Sequence, residues 1–273
     1  MLYSVRELSV PYASAGAQPP STPARLFTYL LDDMPALTFH QRPAVVICPG
    51  GGYSGTCDRE AEPIAVRFNA LGCHSFVLRY SCVPARYPAA LLELACAVAE
   101  IRAHAQEWHV DPKRVLVLGF SAGGHLAASL GTGWNRQPVS ALPLDPQAVR
   151  PDGMILCYPV ISSGRYANRG SFDNLLGPDP QPELLSRLSL EKQVSADTAP
   201  AFIWHTYDDG CVPVQNALLM ACALREHDIP LEMHIYPHGE HGLALASDQT
   251  ARDVPACQNW PELAAAWIKT LAD

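Results

Sequence analysis

Residues 114–125 read Arg-Val-Leu-Val-Leu-Gly-Phe-Ser-Ala-Gly-Gly-His, and their reading decides the fold. Arg114–Phe120 is an apolar run of strand length, and Ala122–Leu130 has the composition of a helix. Between them lies Gly119-Phe120-Ser121-Ala122-Gly123, a G-x-S-x-G turn joining strand to helix with no spare residues. Gly119, Ala122 and Gly123 are small because the turn is sharp and bulky side chains at those places would clash where strand and helix pack. The turn holds Ser121 Oγ at a helix N-terminus, where the dipole favours developing negative charge. A glycine-rich turn with an incidental serine is the bland reading of those five residues alone. The strand–turn–helix context argues against it.

Working outward, apolar runs alternate with helix-like segments. Residues 44–48, 74–80, 153–158, 201–206 and 231–236 read as further strands. Residues 59–71, 87–108, 214–227 and 259–271 read as helices. Strands alternating with helices of ten or more residues imply parallel βαβ units, and near-continuous apolar strands imply helices on both faces. Segments 1–12 and 23–32 look like antiparallel strands leading into the sheet. The expected class is α/β: one domain over residues 1–273, with a mostly parallel central sheet and helices on both faces. Two irregular stretches, 134–151 and 162–199, rich in Pro, Gly, Ser and Asp, are expected to shape a pocket over the strand ends, the second containing a short helix near Pro182–Leu188.

Three more segments bear chemistry. Ala44-Val-Val-Ile-Cys48-Pro49-Gly50-Gly51-Gly52-Tyr53 ends a strand in three glycines. Glycines let backbone N–H groups approach a reacting carbonyl oxygen as it turns anionic. A phosphate loop would need Gly-Lys-Ser/Thr, which does not follow. Phe202-Ile-Trp-His205-Thr-Tyr-Asp208-Asp209-Gly-Cys-Val212-Pro213 places two competing aspartates past a strand end, where a helix cap or turn former is the ordinary reading of either. Ile235-Tyr-Pro-His238-Gly-Glu-His241-Gly242 carries two histidines on a loop after a strand. His241 is favoured over His238 because Gly242 suits a tight loop. A metal-binding H-x-x-H would want further ligands at regular spacing, and none is nearby. The chain order serine, aspartate, histidine differs from the orders of chymotrypsin and subtilisin.

The bulk numbers narrow the function classes. The chain has 273 residues, a net charge of -8 and only 17% charged residues, with no Lys/Arg run. Nucleic-acid binding is therefore not expected. Residues 1–7 show no basic region followed by an apolar run, and no apolar stretch approaches about 18 residues, so neither a signal peptide nor a membrane span is expected. The nine cysteines are odd in number and form no C-x-x-C pair. Reduced, buried thiols and a cytoplasmic location follow as the expectation.

The motifs together resemble the α/β-hydrolase superfamily over almost the whole length. Cys48-Pro49-Gly-Gly-Gly-Tyr53 and Gly119-Phe-Ser-Ala-Gly-Gly124 are similar to hormone-sensitive-lipase-like esterases. Arg59-Glu60 with Val77-Leu-Arg-Tyr-Ser81, Asp111-Pro-Lys-Arg114, and Trp204-His-Thr-Tyr-Asp-Asp209-Gly-Cys-Val-Pro213 resemble the bacterial acetylxylan and feruloyl/acetyl esterases. The resemblance implies a serine carboxylic ester hydrolase with Ser121 as nucleophile, Asp209 as the orienting acid and His241 as base. It also implies oxyanion donors on the backbone of Gly51, Gly52 and Ala122, with Pro49 standing where the His-Gly-Gly-Gly form has histidine. No metal or organic cofactor is implied.

The expected substrate is a short acyl ester, acetyl above all, such as an acetylated xylo-oligosaccharide. The irregular stretches offer Tyr166, Asn168, Arg169, Phe172 and Asn174 for hydroxyl-rich ligands. A prolyl-oligopeptidase-like peptidase and a non-catalytic ligand-binding homologue are the competing readings. No repeat-bearing propeller is read in this sequence, which counts against the first, and His241 counts against the second.

Overall fold

The computed structural model describes residues 1–38, 40–250 and 252–271. Eight strands form one sheet: β1 (Leu2–Glu7), β2 (Arg25–Leu30), β3 (Arg42–Cys48), β4 (His74–Arg79), β5 (Val110–Phe120), β6 (Gly153–Cys157), β7 (Ala201–Thr206) and β8 (Leu231–Tyr236). Their spatial order is β1-β2-β4-β3-β5-β6-β7-β8. β2 is antiparallel to both of its neighbours, and every pairing from β4 to β8 is parallel. The helices are α1 (Glu62–Ala70), α2 (Ala89–Ala103), α3 (Ala122–Gly133), α4 (Pro146–Val149), α5 (Arg169–Leu176), α6 (Pro182–Arg187), α7 (Gln215–Glu226) and α8 (Trp260–Thr270).

The apolar strands read as continuous because each buries both faces, and the period-2 geometry of a strand divides their residues between two cores. Ala44, Val46 and Cys48 of β3, Val115 and Val117 of β5, and Ala201 and Ile203 of β7 join the core covered by α2, α3 and α7. Val45 and Ile47, Leu116 and Leu118, and Phe202 and Trp204 join the opposite core, under α1 and α8. Trp204 stacks on Trp260 of α8 with ring centroids 5.4 Å apart. Fully burying such side chains contributes about 1.5–3 kcal/mol each for the Val/Leu/Ile/Phe class. Trp260→Ala would cost about 3–5 kcal/mol through the cavity it opens.

The rigid sheet brings the ends of β3, β5, β7 and β8 to one edge of the molecule, as open parallel sheets do for their ligand sites. Of the two irregular stretches, 162–199 lies against this edge: Asn174 of α5 donates to Gly52 O (2.9 Å) and Asn168 to Cys211 O (3.2 Å). The 134–151 stretch packs instead on the flank of α2, where Arg102 Nη1 donates to Ala148 O (3.0 Å). Helix α5 was not expected. It starts at Asn168, whose Oδ1 accepts from Ser171 N (3.1 Å), a cap that the adjoining Gly170 disguises in sequence.

All nine cysteines are free thiols. Five are buried and Cys57 and Cys82 half-buried, whereas Cys211 and Cys222 are exposed, so the expectation of buried thiols does not extend to these two. Cys211 sits on the turn after Asp209, and Cys222 on the outer face of α7. Among the described residues no helix is long and apolar enough to cross a membrane.

Candidate active site

Ser121 sits between β5 and α3 with φ 54° and ψ -119°, a conformation that L side chains rarely adopt. Such strain costs on the order of 1–3 kcal/mol and persists only where neighbours over-determine it. Here Ser121 N donates to Cys157 O (3.0 Å), and Ser121 O accepts from His125 N and Val160 N. The flanking glycines are required: a Cβ on Gly119 would meet the Gly123 backbone, and one on Gly123 would meet the Cys48 and Pro49 carbonyls. Ser121 keeps 9% of its surface exposed.

His241 reaches back from the loop after β8. Its Nε2 lies 2.8 Å from Ser121 Oγ, and its Nδ1 lies 2.6 Å from Asp209 Oδ2. With the proton on Nδ1 donated to the carboxylate, the Nε2 lone pair faces the serine hydroxyl. Asp209 Oδ1 accepts from Cys211 N (2.8 Å) and Val212 N (2.9 Å), so the Asp-Gly-Cys-Val turn fixes the carboxylate plane. Burial alone would raise this carboxyl. Hydrogen bonds from His205 and His241, the charge of His241 and the Val212 amide outweigh it and hold the group well below the usual carboxylate range.

Asp208 and His238, the competing residues, pair with each other instead. His238 Nδ1 lies 3.0 Å from Asp208 Oδ2, Gly239 N donates to Asp208 Oδ1 (2.8 Å), and both side chains are exposed. This outer pair pins the start of the loop whose far end carries His241. Gly242 has φ +83°, and a Cβ there would strike the Arg59 guanidinium. The tight loop read from Gly242 is therefore real.

In the glycine loop, Gly51 (φ 134°) and Gly52 (φ 62°) occupy the left-handed region. Its carbonyls are tied: Pro49 O by Tyr80 Oη (2.6 Å), Gly50 O by Cys57 N (2.8 Å), Gly51 O by Ser54 N and Oγ, and Gly52 O by Asn174. The N–H groups of Gly51, Gly52 and Ala122 donate to no acceptor among the described residues. The loop thus offers donors while its acceptors are occupied, and Tyr80 braces the Pro49 carbonyl. Behind it, Tyr53 Oη lies 2.9 Å from His125 Nδ1, and His125 Nε2 donates to Leu188 O (2.9 Å). Burial pushes His125 down to about 4, so it stays neutral as an acceptor for Tyr53.

Phe172 does not line this site. Its ring is buried edge-on against His125 at 5.3 Å. That corrects its expected role as a ligand platform: the apolar side of α5 turns the ring inward. Two residues that sequence reasoning gave no role, Glu60 and Tyr158, are buried beside the loop and the imidazole. Tyr158 Oη donates to Glu60 Oε1 (2.7 Å), and the Tyr158 ring stands edge-on to the His241 ring at 5.0 Å. Among the described residues no cluster of three or more His, Cys, Asp or Glu is placed to hold a metal ion.

The arrangement can pass a proton from a hydroxyl to an imidazole while donors wait for a negative oxygen. Comparison with known proteins agrees with the fold. A structure described as an acetyl ester-xyloside bifunctional hydrolase from Caldicellulosiruptor lactoaceticus superposes with TM-score 0.84 and 38% identity, covering 98% of this chain and 96% of that one. The chain is 40% identical over 229 residues (82% of its length) to an endo-1,4-beta-xylanase B from Butyrivibrio fibrisolvens, of which it spans 35%. It is 31% identical over 228 residues (80% of its length) to an acetylxylan esterase from Xylanibacter ruminicola, of which it spans 45%. The chain therefore spans less than half of these two curated relatives. The BD-FAE family model matches residues 33–224, and the chain belongs to the BD-FAE family of the α/β-hydrolase superfamily.

Proposed function

We propose that this protein is a serine carboxylic ester hydrolase that removes short acyl groups, acetyl above all, from carbohydrate alcohols. The observation that carries the reading is the continuous line Ser121 Oγ–His241 Nε2 (2.8 Å) and His241 Nδ1–Asp209 Oδ2 (2.6 Å), set beside the unused amides of Gly51, Gly52 and Ala122. In this reading Ser121 attacks the ester carbonyl as His241 takes its proton. Asp209 holds the imidazole tautomer and stabilises the imidazolium. The oxyanion rests on the three amides until the alcohol leaves, protonated by His241. Water, deprotonated by His241, then attacks the acyl-enzyme, and the acid and Ser121 are released.

The carbohydrate preference draws on relatives described as an acetylxylan esterase and an acetyl ester-xyloside hydrolase. The test combines a nucleophile deletion with substrate profiling. Ser121→Ala should lower kcat on p-nitrophenyl acetate by about 10⁴–10⁶. Acetylated xylo-oligosaccharides should release acetate, and the acetate ester should exceed the octanoate in kcat/KM. Full turnover in Ser121→Ala would refute the mechanism. Preference for octanoate with no acetate released from the sugar would refute the substrate, and turnover of aminoacyl amides alone would favour a peptidase.

A further inference from the structure

Glu60 is 2% exposed, yet it lies in neither strand β3 nor the glycine loop that follows it. Its Oε2 accepts from Gly50 N (2.8 Å), the residue that leads into Gly51 and Gly52. Its Oε1 accepts from Tyr158 Oη (2.7 Å). Tyr158 Oη in turn accepts from Ala244 N (2.9 Å), three residues beyond His241. One buried carboxylate thus ties the glycine loop to the histidine loop through a single tyrosine hydroxyl. Every polar atom in this chain of bonds has a partner, which is the condition under which a buried network rigidifies its surroundings.

The backbone shows what the network restrains. Tyr158 has φ 36° and Ala244 has φ 53°, conformations that ordinary residues adopt only under constraint. Gly50 packs so closely that a Cβ on it would lie 2.7 Å from Glu60 Oε2 and 3.0 Å from Ser121 Cβ. The Tyr158 ring backs the His241 ring. Burial raises the Glu60 carboxyl from its usual range, while the Tyr158 hydroxyl, the Gly50 amide and the neighbouring Arg59 and His241 charges favour the carboxylate.

We propose that Glu60 and Tyr158 are a positioning pair: a buried clamp that holds the oxyanion donors and the His241 base at a fixed spacing about Ser121 Oγ. The clamp rests on the esterase reading above. Neither residue hydrogen-bonds the side chains of Ser121, His241 or Asp209. They act through Gly50 and Ala244, so their loss should register where geometry in the transition state matters and leave ground-state binding alone.

The test uses Tyr158→Phe, which keeps the ring and removes only the hydroxyl, and Glu60→Gln, which keeps the shape. Each is measured on p-nitrophenyl acetate and for inhibition by a trifluoromethyl ketone that forms the tetrahedral adduct. Tyr158→Phe should lower kcat by about 5–30-fold and Glu60→Gln by about 10–100-fold, with KM changed less than about threefold. Affinity for the ketone should fall in parallel with kcat/KM. The double variant should be no worse than Glu60→Gln alone, because the two act as one unit. A purely structural role would lower the melting temperature and leave kcat on the folded protein intact, and that outcome overturns the clamp. So do losses confined to KM, or single losses that multiply in the double variant. Should Glu60→Gln fail to fold, Tyr158→Phe decides alone: unaltered kcat overturns the clamp. An inactive wild-type protein would sink the esterase reading and the clamp with it. Active wild-type protein with unaltered variants sinks the clamp only.

Discussion

Asp209→Asn is the sharpest perturbation of the proposed mechanism, because the structure dictates how the replacement amide must sit. The Asp209 side chain has no exposed surface, so rotating it away is not available. Oδ1 accepts from two amides, Cys211 N at 2.8 Å and Val212 N at 2.9 Å. The asparagine must therefore keep its carbonyl oxygen there and turn its NH₂ toward His241 Nδ1, where Oδ2 lay at 2.6 Å. Two donors cannot face each other at that distance. The imidazole must move its proton to Nε2, which then points at Ser121 Oγ and can no longer accept from it. The equivalent change in a serine protease lowers kcat by about 10⁴ through this same tautomer. At about 1.36 kcal/mol per decade, that is about 5.4 kcal/mol of lost transition-state stabilisation. Asp208→Asn provides the control. Its pairing with His238 is exposed, the amide carbonyl can still accept from Gly239 N, and the expected change is within about threefold. Pre-steady-state and steady-state release of p-nitrophenol at pH 8, with melting curves to confirm the fold, measures both variants. An Asp209→Asn protein within tenfold of wild type, or an Asp208→Asn protein that is the more damaged, would refute the assignment.

Gly50→Ala should abolish measurable activity and destabilise the fold by about 1–3 kcal/mol, since its Cβ would press on Glu60 Oε2, Phe120 O and Ser121 Cβ. Recovery of more than a tenth of wild-type kcat/KM in soluble Gly50→Ala would contradict the packing argument. Stability should fall on acidification from about pH 6.5 toward 4. His125 and His74 are both held near 4, chiefly by burial, while the unfolded chain binds their protons near the reference value of about 6.5. The unfolded state therefore gains protons first as pH drops, and each histidine removes on the order of 3 kcal/mol by the end of that window. Urea midpoints at pH 7.5, 5.5 and 4.5 would show it. His125→Gln should flatten the slope whatever its absolute stability, and an unchanged slope would rule out His125 as a contributor.

The parts of the protein that were legible in sequence share a physical cause. Strands β3, β6 and β7 and the Val115–Phe120 part of β5 bury both faces, so they read as near-continuous apolar runs. Ser121, Asp209 and His241 each follow a strand within a few residues, and parallel strands deliver their ends to one edge. Local motifs therefore sufficed to bring three distant residues together. The choice between two adjacent aspartates came from the family resemblance, and the structure adds the physical reason, since Asp209 accepts the Cys211 and Val212 amides. Burial of individual side chains was less legible. Phe172 was misjudged because helix α5, which turns its ring inward, was not foreseen. Leu2, Tyr3 and Val5 are apolar yet exposed on strand β1, which has a partner on one side only.

Least legible was what sets the distances. Glu60 meets Tyr158 across 98 residues of chain; Arg59-Glu60 figures in sequence only through the family resemblance, and nothing in the spacing points from it to Tyr158. A glutamate before a helix reads as a first-turn acid favoured by the dipole, and a tyrosine after a strand reads as core. Only the tertiary structure turns the first into an acceptor for Gly50 and the second into its bridge to Ala244. The chemistry-bearing residues need their chemical identity, which local sequence displays. Their mutual spacing is held by residues chosen for fit to a three-dimensional neighbourhood, and such residues leave no periodic or positional mark. The motifs of this chain thus name the groups that the proposed mechanism uses, while the buried carboxylate and tyrosine behind them tie together the two loops that carry those groups.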